Sequence, residues 1–261
     1  ECMKLFLLIL LSSLFLPVLA QSDSYPGRST YVTVNIYETS QLNESFDEVN
    51  VVDVRSHFEF DTLHINNAVN IPLLSRKFIK EVAELHKQGK PIIFYCNGHT
   101  CYKAYKAAQK AEKFKITNTY AYDAGIFDWA KAHPEKATLL GKTPLDTSRL
   151  LGKEDLAKYL LEPAEFAAKI NDKAVILDIR EPAQRGLIEL YPYNQQNITM
   201  DDKDKLNKFL AEIKKSGKTL LVYDEAGRQV RWLQYHLEDK GISDYYFMAG
   251  GVKNFFKSLK K

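Results

Sequence analysis

A chain of 261 residues with 45% apolar and 26% charged side chains has room for about two domains, each with its own core. The net charge is only +3 and no basic block interrupts the chain. That excludes the concentrated Lys/Arg surface on which non-specific nucleic-acid binding depends, so no nucleic-acid partner is expected.

Read from Met3, the chain opens with Lys4, an apolar run from Leu5 to Leu16, then Pro17, Val18 and Ala20. This is the pattern of a secretory signal peptide over residues 1–20, cleaved after Ala20. The run is short for a bilayer span, and no other stretch approaches about 20 apolar residues. The expectation is a periplasmic or secreted protein with no stable membrane span after signal cleavage. The exported chain then keeps two cysteines, Cys96 and Cys101, too few for a disulfide framework in a protein of this size.

Residues 21–30 read as a flexible lead-in, and the alternating, β-branched 31–37 predicts an edge strand. Short buried strands follow over 49–54 and 68–71. Leu74, Phe78, Ile79, Val82 and Leu85 recur at helical spacing and predict a helix over 74–86. "IIFYC" (92–96) is a continuous apolar run of the kind buried on both faces of a parallel sheet. A helix over 102–114, a strand over 117–123 and a helix from Gly125 complete the unit. Alternation of this kind predicts an α/β domain with a mostly parallel sheet flanked by helices.

The second half repeats the first. "GKPIIFYCNGHTC" (89–101) aligns with "GKTLLVYDEAGRQ" (217–229), and "VNVVDVRSHFEF" (49–60) with "KAVILDIREPAQR" (173–185). Asp53 and Arg55 thus face Asp178 and Arg180, and Cys96 faces Asp224. One copy carries a thiol where the other carries a carboxylate.

Cys96 stands at a strand's carboxyl end, where α/β folds place ligands. If the residues after it curl back, their N–H groups and the start of the helix near Tyr102 would favour a thiolate. Asn97 and Gly98 suit such a curl. Four readings stay open for Cys96: a nucleophile, half of a redox pair with Cys101, a metal ligand with His99, or a buried structural cysteine. Cys101 is either packing at a helix start or a resolving thiol. The metal reading has three close ligands and no fourth, so neither metal nor cofactor is expected. No basic side chain follows Cys96 before Lys103, which leaves anion recognition to backbone amides, His99 and Lys103 or Lys106. A phosphate-clamping loop would carry arginine six places after the cysteine, where Tyr102 stands. Asp53 and Arg55 read as a charge pair that braces the loop. Asp224, Gly227, Arg228 and Arg231 mark a silent or repurposed pocket, and His57 and His64 bond within the fold.

"VVDVRSHFEFDTLHINNAVNIP" (51–72) resembles the entry segment of rhodanese domains. Asp53, Arg55, Glu59, Phe60, His64, Ile65, Ala68, Asn70, Ile71 and Pro72 fall on that pattern. The strand, cysteine, loop and helix of 92–114 and the "DAGIFDW" segment (123–129) extend it. The resemblance implies two tandem rhodanese-like domains, over 21–145 with the cysteine and 146–261 without it. It also implies a sulfurtransferase in which Cys96 carries persulfide sulfur from a donor such as thiosulfate to a thiol or thiophilic acceptor, small molecule or protein. By that analogy Asn97, Gly98, His99, Thr100, Cys101 and Tyr102 form the substrate loop, supported by Asp53, Arg55 and Lys103. Well-known tandem members carry the cysteine in the C-terminal copy; here it is in the N-terminal one. The rival expectations are a dithiol/disulfide redox protein using Cys96 and Cys101, and a non-catalytic binding module.

Overall fold

A computed structural model describes residues 24–186 and 188–260; the signal segment expected at 1–20 lies outside them. The first unit contains helices α1 (Pro26–Thr30), α2 (Thr39–Glu44), α3 (His57–Thr62), α4 (Phe78–His86), α5 (Lys103–Lys113) and α6 (Gly125–Ala132). Its strands are β1 (Asn50–Asp53), β2 (Leu63–Ile65), β3 (Val69–Asn70), β4 (Ile92–Tyr95), β5 (Thr119–Tyr122) and β6 (Ala137–Leu139). β3, β1, β4 and β5 lie side by side in that order, all parallel, while β2 and β6 pair antiparallel. The second unit contains β7 (Leu160–Leu161), β8 (Ala174–Asp178), β9 (Gln195–Asn197), β10 (Thr219–Tyr223) and β11 (Tyr245–Met248). They form a parallel sheet in the order β7-β11-β10-β8-β9. Its helices are α7 (Lys153–Ala157), α8 (Pro163–Ala168), α9 (Pro182–Arg185), α10 (Lys203–Ser216), α11 (Val230–Asp239) and α12 (Gly251–Ser258). The expected pair of mostly parallel α/β domains is what the chain forms.

The residues explain the layering. All four side chains of β4 are buried, because helices cover both faces of the sheet. α5 buries Ala104, Ala107, Ala108 and Ala111, whose small side chains let the helix lie close to β4 and β5. α10 buries Leu206, Leu210 and Ile213 at helical spacing and stops at Gly217 in the left-handed region, a common helix terminator. Each large apolar side chain buried this way contributes roughly 1.5–3 kcal/mol.

Two expectations for the first residues fail. The lead-in contains α1, held by Arg28, which pairs with the buried Asp123 at 2.7 Å. The edge strand over 31–37 shrinks to one bridge, Ile36 with Ala121. Tyr31 instead turns its ring onto Tyr105 at 5.2 Å and Tyr102 at 5.9 Å. Aromatic packing onto α5 wins over the ladder that alternation favours. The helix expected over 74–86 starts only at Phe78.

The units meet where α3 and α6 of the first pack against α11 and the start of α10 of the second. Phe127 stacks on Trp232 at 5.5 Å, and the Arg231 guanidinium lies 3.9 Å from the Phe127 ring. Thr62 Oγ1 and His236 Nε2 are 2.8 Å apart, and the Phe58 N–H donates to Asp201 Oδ1 at 3.1 Å. Lys203 pairs with Asp61 across the same seam. Among the described residues no helix is long and apolar enough to cross a membrane.

Candidate active site around Cys96

Cys96 follows β4 directly and is 1% exposed. Its carbonyl accepts the Ile126 N–H at 3.0 Å, which ties the loop's first residue to α6. The loop closes on itself where the Cys101 N–H donates to the Gly98 carbonyl at 2.7 Å. α6 approaches so closely that a Cβ on Gly125, whose φ is +70°, would stand 2.4 Å from the Gly98 nitrogen. Only glycine allows that backbone at that distance. The sulfurs of Cys96 and Cys101 are bonded to each other, with their Cα atoms 6.4 Å apart. That separation lies within the usual range for a disulfide, so the loop accepts the bond as it stands.

The bracing role expected of Asp53 and Arg55 has a definite geometry. Both are fully buried. Arg55 Nε donates to Asp53 Oδ1 at 2.9 Å and Nη2 to Oδ2 at 2.5 Å, a forked charge-assisted pair. Nη2 also donates to the Leu63 carbonyl at 2.6 Å, and Nη1 reaches Asn97 Oδ1 at 3.3 Å. The other end of Asn97 donates through Nδ2 to Glu59 Oε1 at 3.3 Å. Burial works to raise the Glu59 pKa, but Arg55, Lys103 and the Ser56 bonds outweigh it and hold the carboxyl below its ordinary value. Glu59 was no part of the expected site. Its signal was present in Ser56-x-x-Glu59, the pattern of a reciprocal helix cap, which α3 displays.

The remaining loop residues divide. His99 Nε2 lies 2.7 Å from Asp128 Oδ2, and its ring stacks on Tyr25 at 4.3 Å. Asp128 and Tyr25 were likewise missed, and Tyr25 could not have been found, since nothing in the sequence brings residue 25 to the loop. Thr100 is exposed, and Tyr102 stands at the start of α5. Lys103 lines a cleft of about 500 Å³ between the domains, with Arg55, Glu59, Leu74, Gln184 and Gln229. Cys96 does not line this cleft. His64 Nδ1 lies 2.7 Å from the Phe60 carbonyl oxygen, a bond within the fold.

The cradle of N–H groups expected around Cys96 is seen in its twin. In the second domain the N–H groups of Ala226, Gly227, Gln229 and Val230 converge on the Asp224 carboxylate, with Ala226 at 3.0 Å and Gln229 at 2.5 Å. The chain's own anion fills that cradle, and Asp224 is 2% exposed. The Val252 N–H donates to the Asp224 carbonyl at 2.9 Å, as Ile126 does to Cys96. Asp178 and Arg180 repeat the buried fork, with Nη2 on the Ile188 carbonyl at 2.8 Å. In the first domain a carbonyl faces the sulfur instead: Cys96 Sγ lies 3.1 Å from the Cys101 oxygen.

Among the described residues, no cluster of three or more His, Cys, Asp or Glu side chains is arranged to hold a metal ion. The chain matches the rhodanese-like domain family over residues 38–132 and 162–258. It is 31% identical over 105 residues to a tRNA uridine(34) hydroxylase of Photorhabdus laumondii, covering 38% of this chain and 29% of that protein. A tRNA uridine(34) hydroxylase of Yersinia pestis is 30% identical over the same length, with the same coverage. The chain therefore spans less than a third of the length of these curated relatives. Among solved structures, a thiosulfate sulfurtransferase from Pseudomonas aeruginosa aligns with a TM-score of 0.41 and 19% identity, over 87% of this chain and 43% of that one. An uncharacterized protein from Saccharomyces cerevisiae aligns with a TM-score of 0.32 and 25% identity, over 38% of this chain and 92% of that one. With the family matched twice and two copies of one sheet-and-loop unit in place, the chain belongs to the rhodanese-like domain family.

Proposed function

We propose that this protein is a sulfurtransferase that moves sulfane sulfur from a donor such as thiosulfate to a thiophilic acceptor through a persulfide on Cys96. The observation that carries the reading is Cys96 at the carboxyl end of β4, opening a loop clamped by Ile126 and braced by Arg55. In the first step the Cys96 thiolate attacks the outer sulfur of thiosulfate, and sulfite leaves. In the second an acceptor nucleophile takes that outer sulfur, and the thiolate returns. The start of α5 and Lys103 in its first turn supply positive potential beside the loop. Residues 1–20, with their signal-like pattern, support a periplasmic or secreted setting for this chemistry.

The test is mass spectrometry of reduced protein treated with thiosulfate. A persulfide that maps to Cys96, and that Cys96→Ser abolishes, is the expected result. Its absence from wild type, Cys101→Ser and Cys101→Ala alike overturns the reading. A dithiol/disulfide redox protein is the second reading, favoured by the Cys96–Cys101 bond. Equal turnover of a disulfide substrate by wild type and Cys101→Ala removes it.

A further inference from the structure

We infer that Cys101 is a resolving cysteine: it discharges the Cys96 persulfide inside the loop, releasing hydrosulfide and leaving the Cys96–Cys101 disulfide that a dithiol reductant must reopen. This rests on the persulfide reading above and adds to it an internal second step, a product and a class of partner.

Three observations carry it. The two sulfurs are bonded in a loop that makes its other ties at the same time: Ile126 on the Cys96 carbonyl at 3.0 Å and the Cys101 N–H on Gly98 at 2.7 Å. Attack by Cys101 on the sulfur of Cys96 therefore needs no rearrangement of the fold, and a nucleophile held this way acts at a high effective concentration. Second, Cys96 is 1% exposed with Cys101 bonded to it, so Cys101 reaches the loaded sulfur from within the loop, with no second molecule entering from solvent. Third, Cys101 is only partly buried and opens the run into α5. A reductant's thiolate thus meets the Cys101 sulfur first, and Cys96 is the leaving group.

The steps balance. A Cys96 thiolate and thiosulfate give the Cys96 persulfide anion and sulfite. The Cys101 thiol gives its proton to the outer sulfur while its own sulfur bonds to that of Cys96. The bond between Cys96 and the outer sulfur breaks, and hydrosulfide leaves. The sulfane sulfur is reduced by two electrons, and the two cysteine sulfurs are oxidised by two. To reset, one thiolate of a dithiol attacks Cys101, Cys96 leaves as thiolate, and the second thiol of the reductant closes its own disulfide and frees Cys101. The reaction consumes one sulfane sulfur and one dithiol per cycle, and a dithiol reductant, small molecule or protein, is the partner it requires.

The experiment is a single turnover of reduced, desalted full-length protein with one equivalent of thiosulfate, and in parallel with inorganic polysulfide, with no external thiol present. Protein mass and released hydrosulfide are followed together, with peptide mapping of the loop. For the wild type the expected course is a transient gain of one sulfur on Cys96. It is followed by one equivalent of hydrosulfide and a protein two hydrogens lighter than the reduced form. Cys101→Ser and Cys101→Ala keep the persulfide on Cys96, with hydrosulfide release slowed at least about tenfold until dithiothreitol is added. Equal persistence of the persulfide in wild type and both variants overturns the resolving role while leaving the sulfurtransferase reading intact. No persulfide in any of the three proteins with either donor overturns that reading, and this inference falls with it.

Discussion

Arg55, two residues past the end of β1, and Asn97, the residue after Cys96, share a hydrogen bond of 3.3 Å, the point where the buried Asp53–Arg55 pair touches the loop that begins at Cys96. The two residues are expected to fail differently. Arg55→Met leaves Asp53 as an unpaired charge at a fully buried site, and breaking such a pair costs about 3–5 kcal/mol. Asn97→Ala removes weaker bonds at a half-buried position and costs about 1 kcal/mol, while loosening the loop. Denaturant unfolding should therefore separate them by at least roughly 2 kcal/mol, with Asn97→Ala showing its main effect as slower sulfur loading. Equal stability losses would contradict this division.

Gly125→Ala tests the clamp on the loop. The substitution forces an alanine to φ +70° and drives its Cβ to 2.4 Å from the Gly98 nitrogen, a backbone atom that cannot swing aside. The left-handed backbone alone costs roughly 1–2 kcal/mol, and the clash adds to it. Gly141→Ala is the control, with φ +76° and nothing within 4 Å of the added atom. Thermal melting should place the Gly125 variant well below the Gly141 variant, and only the former should lose Cys96 loading.

Asp224 fills its own cradle, so its removal should be structural in effect. Asp224→Asn puts an amide group where four backbone N–H groups converge. Leaving such donors without their anion costs about 1–3 kcal/mol. The expected result is a lower unfolding midpoint with persulfide formation at Cys96 unchanged, read by mass spectrometry. A large loss of loading in a folded Asp224→Asn protein would show that the second loop takes part in the chemistry.

The seam between the domains is expected to respond to acid through His236. Burial first, and Lys240 second, push its pKa down from 6.5 to about 4. The folded chain therefore resists a proton that the unfolded chain accepts. Stability from this group is complete above pH 6.5 and falls as the pH drops toward 4. The loss is on the order of 3 kcal/mol once the pH is below both values. His236→Gln, which can still meet Thr62, should flatten the slope of unfolding free energy over that window. An unchanged slope would place the acid sensitivity elsewhere.

Much of this was legible because strands buried on both faces leave an unmistakable mark. The run at 92–96 and its twin at 219–223 announced parallel strands, and the repeat located a second loop without a thiol. Asp53 and Arg55 could be read as braces because Asp178 and Arg180 recur where no chemistry needs them. Tyr25 and Asp128 escaped because their roles arise from tertiary packing: one ring laid on His99, one carboxylate brought to it by α6. The edge strand at 31–37 misled for a related reason. Alternation shows that a segment has two faces, and Tyr31 uses one of them on helix α5 rather than on a sheet.

α6 has one more consequence. Its first residue, Gly125, touches the loop of Cys96, and two residues later Phe127 packs against Trp232 and Arg231 of the other domain. The domain without a thiol is thus a buttress for the one that has it. A chain cut down to its first half would bare Phe127 to water and free the helix that holds the loop shut. Trp232 and Arg231 thus hold the shape of the Cys96 loop at one remove, through Phe127 and the helix that carries it.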